Sequence, residues 1–127
     1  MIIDTSAIIA ILAAEPEAPS FIAKMSAEAC LLSAGTLIEL SAILTRRGIA
    51  SEEDLHRLLR VARISIEPVT SEQAWIGFDA YRRYGIGSQH SARLNFGDCF
   101  AYALAKATGE PLLFKGKDFA RTDVLVA

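Results

Sequence analysis

Four short apolar runs, Met1-Ile2-Ile3, Cys30-Leu31-Leu32-Ser33, Ile64 to Val69 and Pro111-Leu112-Leu113-Phe114, alternate with helix-length segments, and Val124-Leu125-Val126 closes the chain. Strands this short and this apolar cannot leave one face in water, so the pattern calls for a mainly parallel sheet with helices packed on both faces. The expected helices are Ser6 to Ala14, a second opened by Pro16 and Pro19 and running through Ala29, and Gly35 to Arg47, stopped by Gly48. Ser51 then caps a helix with the apolar face Leu55, Leu58, Leu59 and Ala62; Ser71 to Tyr84 repeats Ala74, Trp75, Phe78 and Tyr81 or Arg82 at helical spacing; and Phe96 to Thr108 ends at Gly109. With 127 residues, 52% of them hydrophobic, and no linker or repeat, this is an α/β chain of one domain, residues 1–127. In such sheets ligands collect at the carboxyl ends of the strands, where the winding reverses.

Several classes are excluded on composition. No apolar run approaches the roughly 18 to 20 residues of a membrane span; the greasiest stretch, Ile8 to Ala14, stops at Glu15-Pro16. Met1-Ile2-Ile3 runs straight into Asp4 with no basic segment before it, so a secretory signal is not expected and the chain is expected to stay in the cytoplasm. Cys30 and Cys99 stand far apart in apolar surroundings and read as core thiols, and only His56 and His90 are present, leaving little material for a zinc site or a Ser/His/Asp triad. The net charge of −2 hides an asymmetry: residues 82–127 hold seven Lys/Arg (Arg82, Arg83, Arg93, Lys106, Lys115, Lys117, Arg121) against four acids.

Four carboxylates stand against their local pattern. Asp4 follows the first strand directly and either caps the next helix or points into the crevice at the strand ends. Glu39 interrupts Leu37-Ile38-Glu39-Leu40-Ser41-Ala42-Ile43-Leu44, a helix expected to be buried nearly all round, where a carboxylate needs either Arg46 or Arg47 as a partner or a cation to ligate. Asp98 is the only charge between Leu94 and Ala105, in a first helical turn. Asp118 follows the strand Pro111 to Phe114 through Lys115-Gly116-Lys117, on the same edge as Asp4, whereas Asp123 precedes the last strand and falls on the opposite edge unless that strand is antiparallel. Converging in one crevice, Asp4, Glu39, Asp98 and Asp118 would form an oxygen-only cage suited to Mg²⁺ or Mn²⁺, and a basic segment beside it points to phosphate chemistry. A haloacid dehalogenase-like phosphatase would need a second acid at Ser6, and a response-regulator receiver an acid ending a middle strand; neither is present.

The order of these marks, Met1-Ile2-Ile3-Asp4-Thr5-Ser6-Ala7, the Glu39 helix, Leu94-Asn95-Phe96-Gly97-Asp98-Cys99, and Leu113-Phe114-Lys115-Gly116-Lys117-Asp118-Phe119 followed by Thr122-Asp123, resembles a PIN-domain ribonuclease of the VapC type nearly end to end. The resemblance implies that Asp4, Glu39, Asp98 and Asp118 hold Mg²⁺ or Mn²⁺, that Thr5 or Ser6 supports the first acid, and that the substrate is RNA. It also implies a homodimer inhibited by a small VapB-like antitoxin. The expected activity is a metal-dependent endoribonuclease, with hydrolysis at phosphorus leaving a 5′-phosphate and a 3′-hydroxyl. Arg82, Arg83, Arg93, Lys115, Lys117 and Arg121 are candidates for backbone contact. The competing readings are a non-catalytic PIN-like module that binds RNA or a partner, and a small-molecule phosphohydrolase.

Overall fold

A computed structural model describes all residues, 1–127. Its elements, in chain order, are β1 (Ile2–Ile3), α1 (Thr5–Leu12), α2 (Ala18–Ala27), β2 (Cys30–Ser33), α3 (Ala34–Arg47), α4 (Glu52–Val61), β3 (Ile64–Glu67), α5 (Ser71–Tyr84), α6 (Asp98–Thr108), β4 (Leu112–Leu113) and a single 3₁₀ turn, Phe119–Arg121. The sheet order is β3-β2-β1-β4 and every pairing is parallel. The α/β architecture with helices on both faces is as expected. No helix is long and apolar enough to cross a membrane.

β1 is the shared wall. Because alternate residues of a strand point to opposite faces, Ile3 joins Ile8, Phe21, Leu32, Leu40, Leu59 and Leu113 in a core beneath α1 to α4. Ile2 joins Tyr84, Leu94, Tyr102, Leu104 and Leu112 in a second core beneath α5 and α6. Ile2 pairs with Leu31 on one side and Leu112 on the other, so winding runs outward through β2 to β3 and returns across β1 to β4. The reversal puts the residue after β1, Asp4, at the switch point of the sheet.

Several local expectations are corrected. The first helix stops at Leu12, with Ala14 in the left-handed region (φ 52°), and α6 starts at Asp98 rather than Phe96. The second helix begins at Ala18, with Pro19 in its first turn, where a missing N–H costs nothing. The third strand ends at Glu67 and, at the sheet edge, exposes Ser65 and Ile66. The last strand reduces to one parallel bridge, Val126 to Leu112. α3 buries only one face, through Gly35, Thr36, Leu40 and Leu44, and leaves Ile38 exposed. The aromatic stripe of α5 also faces outward: Trp75 and Phe78 are exposed, while Gln73, Ala80 and Tyr84 are buried. Where α3 crosses α6 the helices come close, because a Cβ on Gly35 would overlap one edge of the Phe100 ring.

Candidate active site

Three carboxyl-end connections meet at the switch point: the β1–α1 step carries Asp4, the β2–α3 step leads into the helix bearing Glu39, and the loop after β4 carries Lys115. The loop from Gly85 to Gly97 brings the start of α6, and with it Asp98, into the same place. Asp4, Thr5, Ser6, Glu15, Glu39, Arg47, Asn95, Asp98 and Lys115 line a polar cleft of about 290 Å³ there.

Asp4 does both things its position allows. Its Oδ2 caps α1, accepting the Ser6 N–H (2.8 Å) and the Ser6 hydroxyl (2.5 Å). Its Oδ1 is buried in the cleft wall with no hydrogen-bond partner, an arrangement that costs free energy unless a ligand answers it. The Ser6 hydroxyl also accepts the Lys115 backbone N–H (2.9 Å), and the Asp4 N–H donates to the Leu113 carbonyl (2.9 Å), so the β4 loop is fastened to the first acid. The Thr5 hydroxyl goes to Glu39 instead, donating to Oε2 (2.5 Å); Ser6 supports Asp4 and Thr5 supports Glu39.

Glu39 finds no arginine partner. Its carboxylate occupies the space a side chain at Gly97 would take, for a Cβ there would overlap both carboxylate oxygens. Gly97 has an ordinary φ of −64°, so the absence of a side chain, and not backbone freedom, is what the site uses. Asp98 is oriented by a reciprocal pair, the Asn95 N–H donating to its Oδ2 (2.6 Å) and its own N–H donating to Asn95 Oδ1 (3.0 Å). Asp118, at the start of the 3₁₀ turn, is exposed and stands outside the cleft walls, yet its charge acts on Asp98.

Burial pushes Asp4 up to about 6, against the two Ser6 hydrogen bonds and with help from the Glu39 charge. Asp98 is pushed up to about 7, first by burial and then by the charges of Asp4, Glu39 and Asp118, the Asn95 N–H opposing. All four expected acids are therefore electrostatically coupled. No three of them close on one point as an all-protein metal cage. The oxygen cage expected of the four acids is thus not preformed; what fits a hard ion such as Mg²⁺, which keeps several of its own waters, is the lone Asp4 Oδ1 in an oxygen-only set.

Asp123 lies elsewhere: it accepts the Tyr102 hydroxyl (2.6 Å) and pairs with Lys106 (3.2 Å), one and two turns along α6 from Asp98. The parallel bridge at Val126 accounts for this placement. Of the six expected backbone-contacting cations, only Lys115 lines the cleft, and its ammonium is held by Glu15 (2.8 Å) and Glu17 (3.0 Å). Arg82 pairs with Asp79, Arg83 donates to the Tyr84 hydroxyl, and Arg121 donates to the Ser91 carbonyl; Arg93 and Lys117 are exposed. Two of the six, Arg82 and Arg83, are held within their own helix, and two, Lys115 and Arg121, by residues of distant segments. Of the remaining residues that line the cleft, Glu15 carries no signal in the sequence, and Asn95 stands out only as part of the Leu94-to-Cys99 run.

The PIN domain profile matches residues 1–125. Ribonuclease VapC42 of Mycobacterium tuberculosis is 47% identical over 128 residues, covering 98% of this chain and 96% of that one. Ribonuclease VapC30 of the same organism is 43% identical over 126 residues, covering 98% and 95%. Among solved structures, M. tuberculosis VapC20, described as a sarcin-ricin loop cleaving toxin, superposes with a TM-score of 0.74 at 17% identity, covering 99% of this chain and 97% of that one. A toxin–antitoxin complex from Klebsiella pneumoniae gives 0.70 at 18% identity, covering 99% and 95%.

The crowded acids make a sign-specific prediction. Asp4 and Asp98 titrate above their ordinary value, so the folded chain binds protons more tightly than the unfolded one and metal-free stability rises as pH falls through about 7 and about 6. At about 1.4 kcal/mol per pH unit, the shift at Asp4 alone is worth on the order of 3 kcal/mol. The melting temperature in EDTA is expected to rise between about pH 8 and about pH 5, and Asp98→Asn to flatten the rise. A melting temperature that falls steadily over that range would contradict the raised values.

Proposed function

Because the chain belongs to the PIN-domain family, among the VapC ribonucleases, we propose that its acidic cleft is the active site of a Mg²⁺- or Mn²⁺-dependent endoribonuclease, the toxin of a toxin–antitoxin pair. The observation that carries the metal reading is the buried, unpartnered Oδ1 of Asp4, facing a cleft shared with Glu39 and Asp98 and reached by the charge of Asp118. Asp98 repelled by three other carboxylates, with Asp4 repelled by Glu39, is a poor arrangement for a folded protein unless a cation offsets it.

Asp4, Glu39, Asp98 and Asp118 are the residues that would hold the ion, and when bound it supplies an activated water and stabilises the oxygen that departs from phosphorus. The chain's own part is positional. Ser6 holds the Asp4 carboxylate in place, Thr5 holds Glu39, and Asn95 holds Asp98, so the orientations of three acids are set by hydrogen bonds from two segments, the start of α1 and the loop before α6. Such preorganisation matters because misplacement by about 1 Å can cost on the order of 100-fold in rate. The products are a 5′-phosphate and a 3′-hydroxyl.

The partners are RNA as substrate, a small VapB-like antitoxin, and a second copy of the chain in a homodimer. The named relatives and the toxin–antitoxin neighbour support the antitoxin. The exposed Trp75, Phe78 and Phe96 on α5 and ahead of α6 support the homodimer, since large apolar patches of this kind mark protein contacts.

Asp4→Asn, Glu39→Gln and Asp98→Asn are each expected to abolish Mg²⁺-dependent cleavage of RNA and to relieve growth arrest on expression. Asp118→Asn is expected to cut cleavage substantially and Asp123→Asn to leave more activity; the reverse ranking would move the fourth acid to Asp123. Retained cleavage in all of the first three would refute the active site, and turnover on mononucleotides with none on RNA would favour a small-molecule phosphohydrolase. A further variant tests positioning: Gly97→Ala is expected to keep the fold but lower cleavage at least about tenfold by displacing Glu39, measured as kcat/KM on an oligoribonucleotide. Unchanged kcat/KM would show that Glu39 tolerates displacement.

A further inference from the structure

A cleft walled by Asp4, Glu15, Glu39 and Asp98 repels a phosphodiester, and the proposed substrate carries one at every nucleotide. Two cations line the same walls, Lys115 and Arg47. Lys115 is neutralised where it stands, its ammonium held by Glu15 and Glu17. Arg47 is different: it is exposed, it sits in the last turn of α3 about two turns beyond Glu39, and it makes neither an ion pair nor a side-chain hydrogen bond. Its guanidinium is the one positive charge in the cleft wall that no carboxylate holds.

We propose that Arg47 is a substrate-binding residue that grips a phosphate of the RNA strand beside the acids; this rests on the reading of the cleft as a ribonuclease site. A planar guanidinium presents paired N–H donors that match two phosphate oxygens, whereas a lysine offers a point charge. Placed on the helix that carries Glu39, Arg47 fixes the strand in register with that acid, because helix α3 is rigid between them. The plainer explanation of an arginine in a last helical turn is a favourable contact with the helix C-terminus. Arg46 occupies the same last turn and shares that contact, but it does not line the cleft. The pair therefore carries its own control.

The experiment measures cleavage kinetics on a single-stranded oligoribonucleotide and, in an Asp98→Asn background, binding of the same labelled strand by fluorescence anisotropy across a salt series. Arg47→Ala is expected to raise KM and weaken binding about tenfold with little change in kcat, as for loss of one charge-assisted phosphate contact. The slope of log affinity against log salt is expected to shrink by about 0.7, one phosphate on a single strand. Arg47→Lys restores the salt slope but only part of the affinity, and Arg46→Ala leaves KM and slope unchanged. Unaltered binding and KM in Arg47→Ala, with Asp98→Asn still inactive, overturns the role of Arg47 and leaves the active site standing. Equal losses from Arg46→Ala and Arg47→Ala overturn it as well, assigning the effect to general charge. A wild-type protein that neither binds nor cuts RNA overturns both readings.

Discussion

The structure depends on a strand of two residues. β1 is hydrogen-bonded on both sides, to β2 through the Leu31 N–H and to β4 through the Ile2 and Asp4 N–H groups, and its two side chains serve opposite cores. That leaves Asp4 no freedom in where it goes. Fully paired backbone before it and a helix cap after it deliver the carboxylate to the point where the sheet reverses direction. Everything else at the site is brought to Asp4: Glu39 from the strand on one side, the Lys115 loop from the strand on the other, and Asp98 over the top from the second core.

The electrostatic consequence follows from the division of labour within one carboxyl group. Oδ2 belongs to the fold, since it caps α1 and through Ser6 reaches the β4 loop; Oδ1 belongs to the cleft. Folding therefore buries an acid that local structure requires, next to acids that it does not require. Raised pKa values at Asp4 and Asp98 express the strain that results. Stability given up at a site in this way is the usual counterpart of a binding function, and here the counter-charge most consistent with oxygen-only donors is a hard divalent cation.

Sequence pattern made Asp4, Glu39 and Asp98 conspicuous because each is an acid in a context whose periodicity is apolar, and it ranked Asp118 above Asp123 from strand direction alone. Contacts between distant elements were not legible. The Thr5–Glu39 hydrogen bond and the space at Gly97 arise only when α1, α3 and the start of α6 meet, and nothing local to any one of them announces it. Partners of the basic residues were not legible for the same reason: a count by segment says nothing about whether Lys115 is already held by Glu15 and Glu17. Helix faces failed where tertiary context overrides periodicity. Trp75 and Phe78 recur at helical spacing yet lie outward on α5, and α3 is apolar in sequence on a side that stays in solvent, as exposed Ile38 shows.

On the proposed function, these carboxylates destabilise the protein until a divalent ion joins them. Thermal melting of the wild type and of Asp98→Asn, each in EDTA and in saturating Mg²⁺, measures that directly. In EDTA the variant should melt no lower than the wild type, because one of the crowded charges is gone, and Mg²⁺ should raise the wild-type melting temperature by more than the variant's, by linkage. An equal Mg²⁺ shift in both proteins would place the ion elsewhere and contradict the account.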